Sequence, residues 1–411
     1  MKQSKYMFNT SFGLERETMR VNEQGSFAET PHPFEDSHFE RDFCENQLEI
    51  ITDVFDSAEE AVENLKELSD YAAEKLKRQH EYLWLYSNPP HFSNEDEISV
   101  ALYKGAMREK YEYRLKLQEK YGRRLMLYSG IHCNLSLSDE YLQELCPGNA
   151  DYRQFKDGIY LKLLKYSSLY SWVLVLITAA SPVYDKSLEG DNLSGTGFDG
   201  YASRRNSEKG YWNKFVPKLD YSGISAFVKS VDKYIENGDL LGPSEVYLPV
   251  RLKPKGKNTM HGLTDRGVNH IELRMFDVNP FAPAGIFAED LNFANYLLIY
   301  FLSLPDFDFT YELQERSVLN HKNSAGFDLN SILIDDIPAI NAADKLFDDM
   351  IRYFAEYHEV TENIEWQRKK LKKGMRYSDR VYNEYNTDFQ HKFFDKTKKV
   401  NEQCASFLVQ V

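Results

Sequence analysis

The run FGLERETMRV, which opens at Phe12, alternates apolar and charged residues with a period of two. That period belongs to a β-strand, and it places Glu15 and Glu17 on one face with Leu14 and Arg16 on the other. The alternation returns in GIHCNLSL, where His132, Asn134 and Ser136 oppose Ile131, Cys133 and Leu135. It returns again in HIELRMF, where Glu272 and Arg274 oppose Ile271, Leu273 and Met275. A fourth segment, FERDFCENQLEIIT, carries Asp42, Glu45 and Glu49 into a short strand ending near Thr52. Strands of this kind form a sheet with one face open to polar chemistry and the other covered by a second layer.

The covering layer is legible as helical periodicity. Ser57 with Glu60 three residues on is a capping-box pattern, and Ala61, Leu65, Leu68 and Ala72 then form one apolar stripe. Further helices are expected over 97–121 and 155–180, and the chain becomes mostly helical from Phe287 onward. EVYLPVRLKP reads as another strand, and 186–211, rich in Gly, Ser and Asp, as a long mobile or functional loop. Strands scattered among helices predict an α+β fold around a mostly antiparallel sheet. No Gly-rich turn follows the first strand and G-x-x-x-x-G-K-[ST] is absent, which argues against a Rossmann or P-loop site.

With 411 residues and 42% hydrophobic content, the chain can bury a large core as one large domain or two interlocked ones. We expect a single catalytic domain over 1–411, with a sheet-based core over 1–300 and a helical part over 301–411. A net charge of -14 argues against nucleic-acid or anionic-membrane binding, so a polyanionic substrate requires local cations. The basic run RKKLKKGMR, from Arg368, is expected to be a solvated helix face. Cys44, Cys133, Cys146 and Cys404 lie far apart without a C-x-x-C pair, which fits a reducing, cytoplasmic setting and a packed rather than reactive Cys133. MKQSKYMFNT has no apolar signal region, and WVLVLITAA is too short to span a bilayer, so a soluble protein is expected.

Several carboxylates with one imidazole and no thiolate suit a hard divalent cation, magnesium or manganese, if the four segments converge. Spacing alone leaves the alternatives open. Glu15 equally suits a pairing with Arg274, and His132 a structural hydrogen bond.

GLERETMRV, DFCENQLEIIT, YSGIHCNLSL and IELRMFDVNPFAP, in this order over 12–285, resemble the bacterial glutamate–cysteine ligase family, including the amino-terminal module of bifunctional glutathione synthetases. The resemblance implies a glutamine-synthetase-like curved sheet forming a funnel, and an ADP-forming ligation of glutamate to cysteine with ATP and Mg²⁺. It implies metal ligation by Glu15, Glu17, Asp42, Glu49, His132 and Glu272, phosphoryl contact by Arg274, and glutamate binding by Arg205. Tyr113, Arg114, Tyr211 and Tyr247, with Phe43, Leu117 and Met126, match residues around the substrates. No nucleic acid, membrane or obligatory protein partner is implied.

The departures concern the acceptor. Cys133 stands where the family often has tyrosine, His270 where a tyrosine is frequent, and Met126 where a glutamine is common. The last exchange gives a softer, less polar wall. The same chemistry on another amine is therefore the first alternative. A catalytically silent nucleotide-binding relative and a guanidino kinase of related architecture are the others.

Overall fold

The computed structural model describes residues 4–103, 105–372 and 374–407, with the side chains of Ala106 and 404–407, Cys404 included, outside the description. The opening run forms the long strand β1 (Thr10–Asn22), followed by β2 (Phe39–Arg41), β3 (Gln47–Ile51) and β4 (Glu81–Leu83). Then come β5 (Gly130–Leu137), a small ribbon of β6 (Val183–Asp185) with β7 (Thr196–Phe198), and finally β8 (Val250–Pro254) and β9 (Val268–Asp277). The main sheet runs β2-β3-β1-β5-β9-β8, with β4 paired to the end of β1. Every pairing in it is antiparallel. The fold is therefore α+β, built on a curled antiparallel sheet.

Alternation sorts each strand into two faces. Leu14, Leu48, Ile50, Ile131, Cys133, Leu252, Ile271 and Leu273 are buried in one large core. Helices Ala58–Lys77 (α1), Tyr152–Leu169, Ser171–Thr178 and Ala288–Ser303 cover that face. Ser57 caps α1 as its sequence predicts, its side chain accepting from the Glu60 backbone N–H. Arg16, on the covered face, reaches Ser69 of α1, and Arg20 is paired at 2.8 Å with Glu81 of β4, both essentially inaccessible. Among the described residues no helix is long and apolar enough to cross a membrane.

Two expectations are corrected. The segment before helix Arg108–Tyr121 (α2) is not helical from 97: Ser99 O accepts from Glu45 N, Ala101 N donates to Phe43 O, and Val100 bridges Cys44. Pairing with the β2–β3 turn overrides local helix preference there. The helix expected over 155–180 is two helices that part at Tyr170. Of the loop 186–211, residues 191–195 are exposed, whereas Ser203, Arg204, Asn206 and Ser207 are buried and Arg205, Asn206 and Tyr211 reach a cavity, in keeping with the functional alternative.

The basic run is not merely a solvated face. Lys370, 5% exposed, lies 2.6 Å from Asp290 of the helix Ala288–Ser303, whose other oxygen accepts from Tyr377 at 2.9 Å. Removing one member of a buried pair strands the other charge, at a cost of about 3–5 kcal/mol. Lys370→Met is expected to lower unfolding stability by that order in urea titrations, whereas Lys369→Met, on an exposed neighbour, changes it by under about 0.5 kcal/mol.

Candidate active site

The uncovered face of the sheet encloses a cavity of about 740 Å³. Each long strand turns alternate residues into it: Glu15 and Glu17 from β1, Glu49 from β3, His132 from β5, Arg251 and Lys253 from β8, Glu272 and Arg274 from β9. Register aligns them across the sheet. Glu17 lies opposite Glu49, Glu15 opposite His132, and Glu272 between Asn134 and Arg251. Asp42 enters from the β2–β3 turn, which Gln47 shapes by accepting at Oε1 from the backbone N–H groups of Phe43 and Cys44.

A bulge between β5 and β9 adjusts this alignment. Ile131 pairs with Phe276 while Cys133 pairs with Leu273, so His132 faces both Arg274 and Met275. Strict alternation puts Met275 on the covered face. The extra residue instead lets it reach the cavity wall.

His132 is the hub of the acidic cluster. Its Nδ1 lies 3.2 Å from Glu15 Oε2 and 3.9 Å from Glu272 Oε1, and its Nε2 lies 3.5 Å from Glu17 Oε1. Glu15 also accepts from Asn134 Nδ2 at 3.0 Å, and Glu17 from Gly130 N at 2.8 Å. The expectation that Glu15 pairs with Arg274 gives way to these partners, while Arg274 Nη1 lies 3.2 Å from Glu272 Oε2. Lys253 Nζ lies 2.9 Å from the other Glu272 oxygen.

These surroundings divide the carboxylates. Burial opposes the charge on Glu272, but Arg274, Lys253 and His132 together hold its carboxyl well below the usual range. Burial likewise opposes the charge on Glu15, and the His132 hydrogen bond turns the balance downward. Glu17 is pushed up by burial, against the pull of His132. Glu49 is pushed far up by burial and by Glu15, Asp42, Glu17 and Glu40, all of its own sign. The cavity is thus polarised, with cations at the β8–β9 side and uncompensated acid at the β1–β3 side.

The residues fit a hard divalent cation. Glu15, His132 and Glu272 each offer a ligand atom within 4.8 Å of the others. His132 Nε2 and both Glu272 oxygens are buried without an aligned hydrogen bond among the described residues. Cys133 lies on the covered face, where burial pushes its thiol up, so no thiolate competes.

The remaining expected residues line the same cavity. Tyr113, Arg114 and Leu117 project from α2, and Arg114 donates to Arg41 O at 3.0 Å while lying over the Tyr103 ring. Tyr211 and Tyr247 are in ring contact at 4.0 Å, and Phe43, Met126 and Arg205 complete the wall. Glu45 does not converge with the others: it pairs with Arg41 at 2.8 Å outside the cavity. Arg251, Lys253, Asn206 and His321 line the cavity without having been singled out, although the alternation of PVRLKP marks the first two.

The sequence profile of the family described as glutamate-cysteine ligase matches residues 1–241 and 217–323. The chain belongs to the glutamate–cysteine ligase family. Among relatives of this ligase family, the glutathione biosynthesis bifunctional protein GshAB of Clostridium perfringens is 34% identical over 337 residues, covering 77% of this chain and 43% of that protein. The protein of the same name from Listeria innocua is 36% identical over 338 residues, covering 78% of this chain and 44% of the relative. The chain therefore spans less than half the length of these two relatives. Two solved structures share the fold at 23% identity. The glutamate–cysteine ligase of Francisella tularensis in complex with AMP superposes with a TM-score of 0.86, over 97% of this chain and 89% of that one. A bifunctional glutathione synthetase from Pasteurella multocida gives 0.83, over 97% and 53%.

The polarised cavity sets a stability trade-off. A buried carboxyl whose pKa is raised in the folded state is undemanding below its unfolded value, near 4.5, and costs stability as the pH climbs from there through the folded value. Glu49→Gln is therefore expected to raise the melting temperature of the metal-free protein at pH 8, and the two curves should meet near pH 4. A variant that melts at or below the parent at pH 8 would count against the crowding of like charge around Glu49.

Proposed function

We propose that the chain joins the γ-carboxyl of L-glutamate to the amine of L-cysteine with ATP, through γ-glutamyl phosphate, giving γ-glutamylcysteine, the first step of glutathione synthesis. The observation that carries this reading is the single cavity in which carboxylates of three strands face a row of cations. Membership of the ligase family supports it, and the AMP complex of the Francisella tularensis enzyme supports an adenine nucleotide as co-substrate.

The chemistry explains the residue types. A carboxylate is a poor electrophile, so its oxygen first takes the γ-phosphoryl group of ATP and ADP departs. The amine then forms the C–N bond, losing a proton, and inorganic phosphate leaves. No covalent nucleophile on the protein is needed. Glu15, Glu17, Asp42, Glu49, His132 and Glu272 would hold Mg²⁺, or Mn²⁺ in its place. When bound, such ions neutralise the triphosphate and the charge that builds on the transferring oxygens. Arg274, fixed by Glu272, would present positive charge to the phosphoryl group. Arg205 receives a glutamate carboxylate, and Tyr113, Arg114, Tyr211 and Tyr247 surround the amino-acid substrates.

A second reading keeps this chemistry and changes the amine. Phe43, Leu117 and Met126 are buried apolar members of the cavity lining, a setting that suits an uncharged acceptor side chain. One altered wall group moves discrimination between acceptors by about 1–3 kcal/mol.

Phosphate release from ATP and glutamate, measured over a panel of amines with mass spectrometry of the products, tests both. Turnover with cysteine and the mass of γ-glutamylcysteine are expected. Turnover with a different amine but not cysteine overturns the acceptor, a stable phosphorylated product without phosphate release points to a kinase, and tight ATP binding without turnover to a silent relative. Glu15→Gln should lower kcat by about two orders of magnitude at limiting magnesium without loss of folding by circular dichroism. Near-parental activity there would remove Glu15 from the ligand set.

A further inference from the structure

Two consecutive arginines leave segment 203–210 in opposite directions. Arg204 lies over the Tyr184 ring at 3.8 Å and donates to Tyr128 Oη at 3.1 Å. Arg205 enters the cavity, where its Nη2 donates to Arg274 O at 2.6 Å. Its guanidinium lies so close to Gly130 that a Cβ there would collide with it. The Arg205 carbonyl leaves no room for a Cβ on Gly210 either. Which arginine reaches the substrate thus depends on how this backbone is held.

A buried polar chain holds it. Asp277, at the end of β9, accepts at Oδ2 from Ala180 N at 2.9 Å and Ser181 Oγ at 2.7 Å, and at Oδ1 from Ser203 Oγ at 2.9 Å. Asn206 Nδ2 donates to Ser203 Oγ and to Met275 O, each at 2.9 Å. Its amide protons are then used, so Asn206 Oδ1 must accept, and its neighbour at 3.2 Å is His321 Nε2. That pairing places the His321 proton on Nε2, with Nδ1 2.8 Å from Ser171 Oγ, whose hydroxyl also reaches Ser168 O at 3.0 Å. Burial, with Arg205 and Lys322 nearby, pushes the imidazole down to about 3, so this neutral form persists across the physiological range. Asn206 is 5% and His321 1% exposed. Both border the cavity with their polar atoms already engaged, which makes them poor ligands for a substrate and strong anchors for a neighbour.

We propose that Asn206, clamped between Ser203 and His321, is the positioning residue that aims the Arg205 guanidinium at the glutamate carboxylate. This rests on Arg205 as the glutamate-binding group. Arg205 is followed directly by the Asn206 anchor and preceded at one remove by Ser203, so loss of the anchor frees the arginine; because Asn206 also holds Met275 O, next to Arg274, the ATP KM serves as the control for the phosphoryl-facing side.

Steady-state kinetics with glutamate varied at saturating ATP and amine, repeated with ATP varied, test the proposal on Arg205→Ala, Asn206→Ala and the double variant. Asn206→Ala is expected to raise the glutamate KM by about tenfold, the equivalent of one lost aligned hydrogen bond to a charged group, with the ATP KM unchanged. In the Arg205→Ala background the same substitution should add almost nothing, because residues that act as one unit are not additive. His321→Leu should reproduce the glutamate-selective change and His321→Gln, which keeps a donor towards Asn206, should restore the parental value. This pair decides the matter if Asn206→Ala does not fold. An unchanged glutamate KM in Arg205→Ala defeats the ligand assignment itself. A raised KM in Arg205→Ala combined with a full additional effect of Asn206→Ala, or with none in Asn206→Ala alone, overturns the positioning role and leaves Arg205 as ligand.

Discussion

Like charge crowded into one recess is the constraint around which this molecule is arranged. Glu17 and Glu49 meet across adjacent strands, with Asp42 and Glu15 beside them, between protein walls that weaken the screening of their repulsion. The rest of the structure can be understood as what is needed to keep them there. Sheet hydrogen bonding fixes the spacing, and the covered face supplies the burial that resists spreading. The cations of β8 and β9 stand beside Glu272 rather than among the carboxylates of β1 and β3, so that corner of the site has the chemistry to accept a divalent cation.

The scaffold behind the sheet is stiff for the same reason. Arg16 and Arg20 lie on or beside β1 with almost no access to solvent, tied to α1 and to Glu81. Charged groups in such positions tolerate little sliding, because a shifted strand would leave them without partners. Tension generated on the open face is carried by apolar packing and buried ion pairs on the closed one.

Much of this was legible in the chain. Period-two alternation identified both faces of β1, β5 and β9, and the Ser57–Glu60 pattern marked the start of α1, because these signals depend on local geometry alone. The family motifs pointed to residues that the structure brings to one cavity, apart from Glu45, which was named from its spacing and pairs with Arg41. What escaped reading depends on contacts distant in sequence. Residues 98–101 look helical until the β2–β3 turn pairs with them, Lys370 looks solvated until Asp290 is placed beside it, and Asn206 has no pattern at all before His321 arrives from a helix far along the chain.

The extra residue of β9 opposite His132 has a consequence for how such a chain can change length. Leu273 and Phe276, which both face the covered core, are three residues apart where a regular strand counts two, so losing one residue at the irregularity would keep both faces in step, whereas losing one between Val268 and Leu273 would drive Glu272 among the leucines. Changes of length are therefore confined to the connections between strands and to this one irregularity. The reading frame of the sheet, counted in odd and even positions, is as binding on this architecture as the identity of any one side chain.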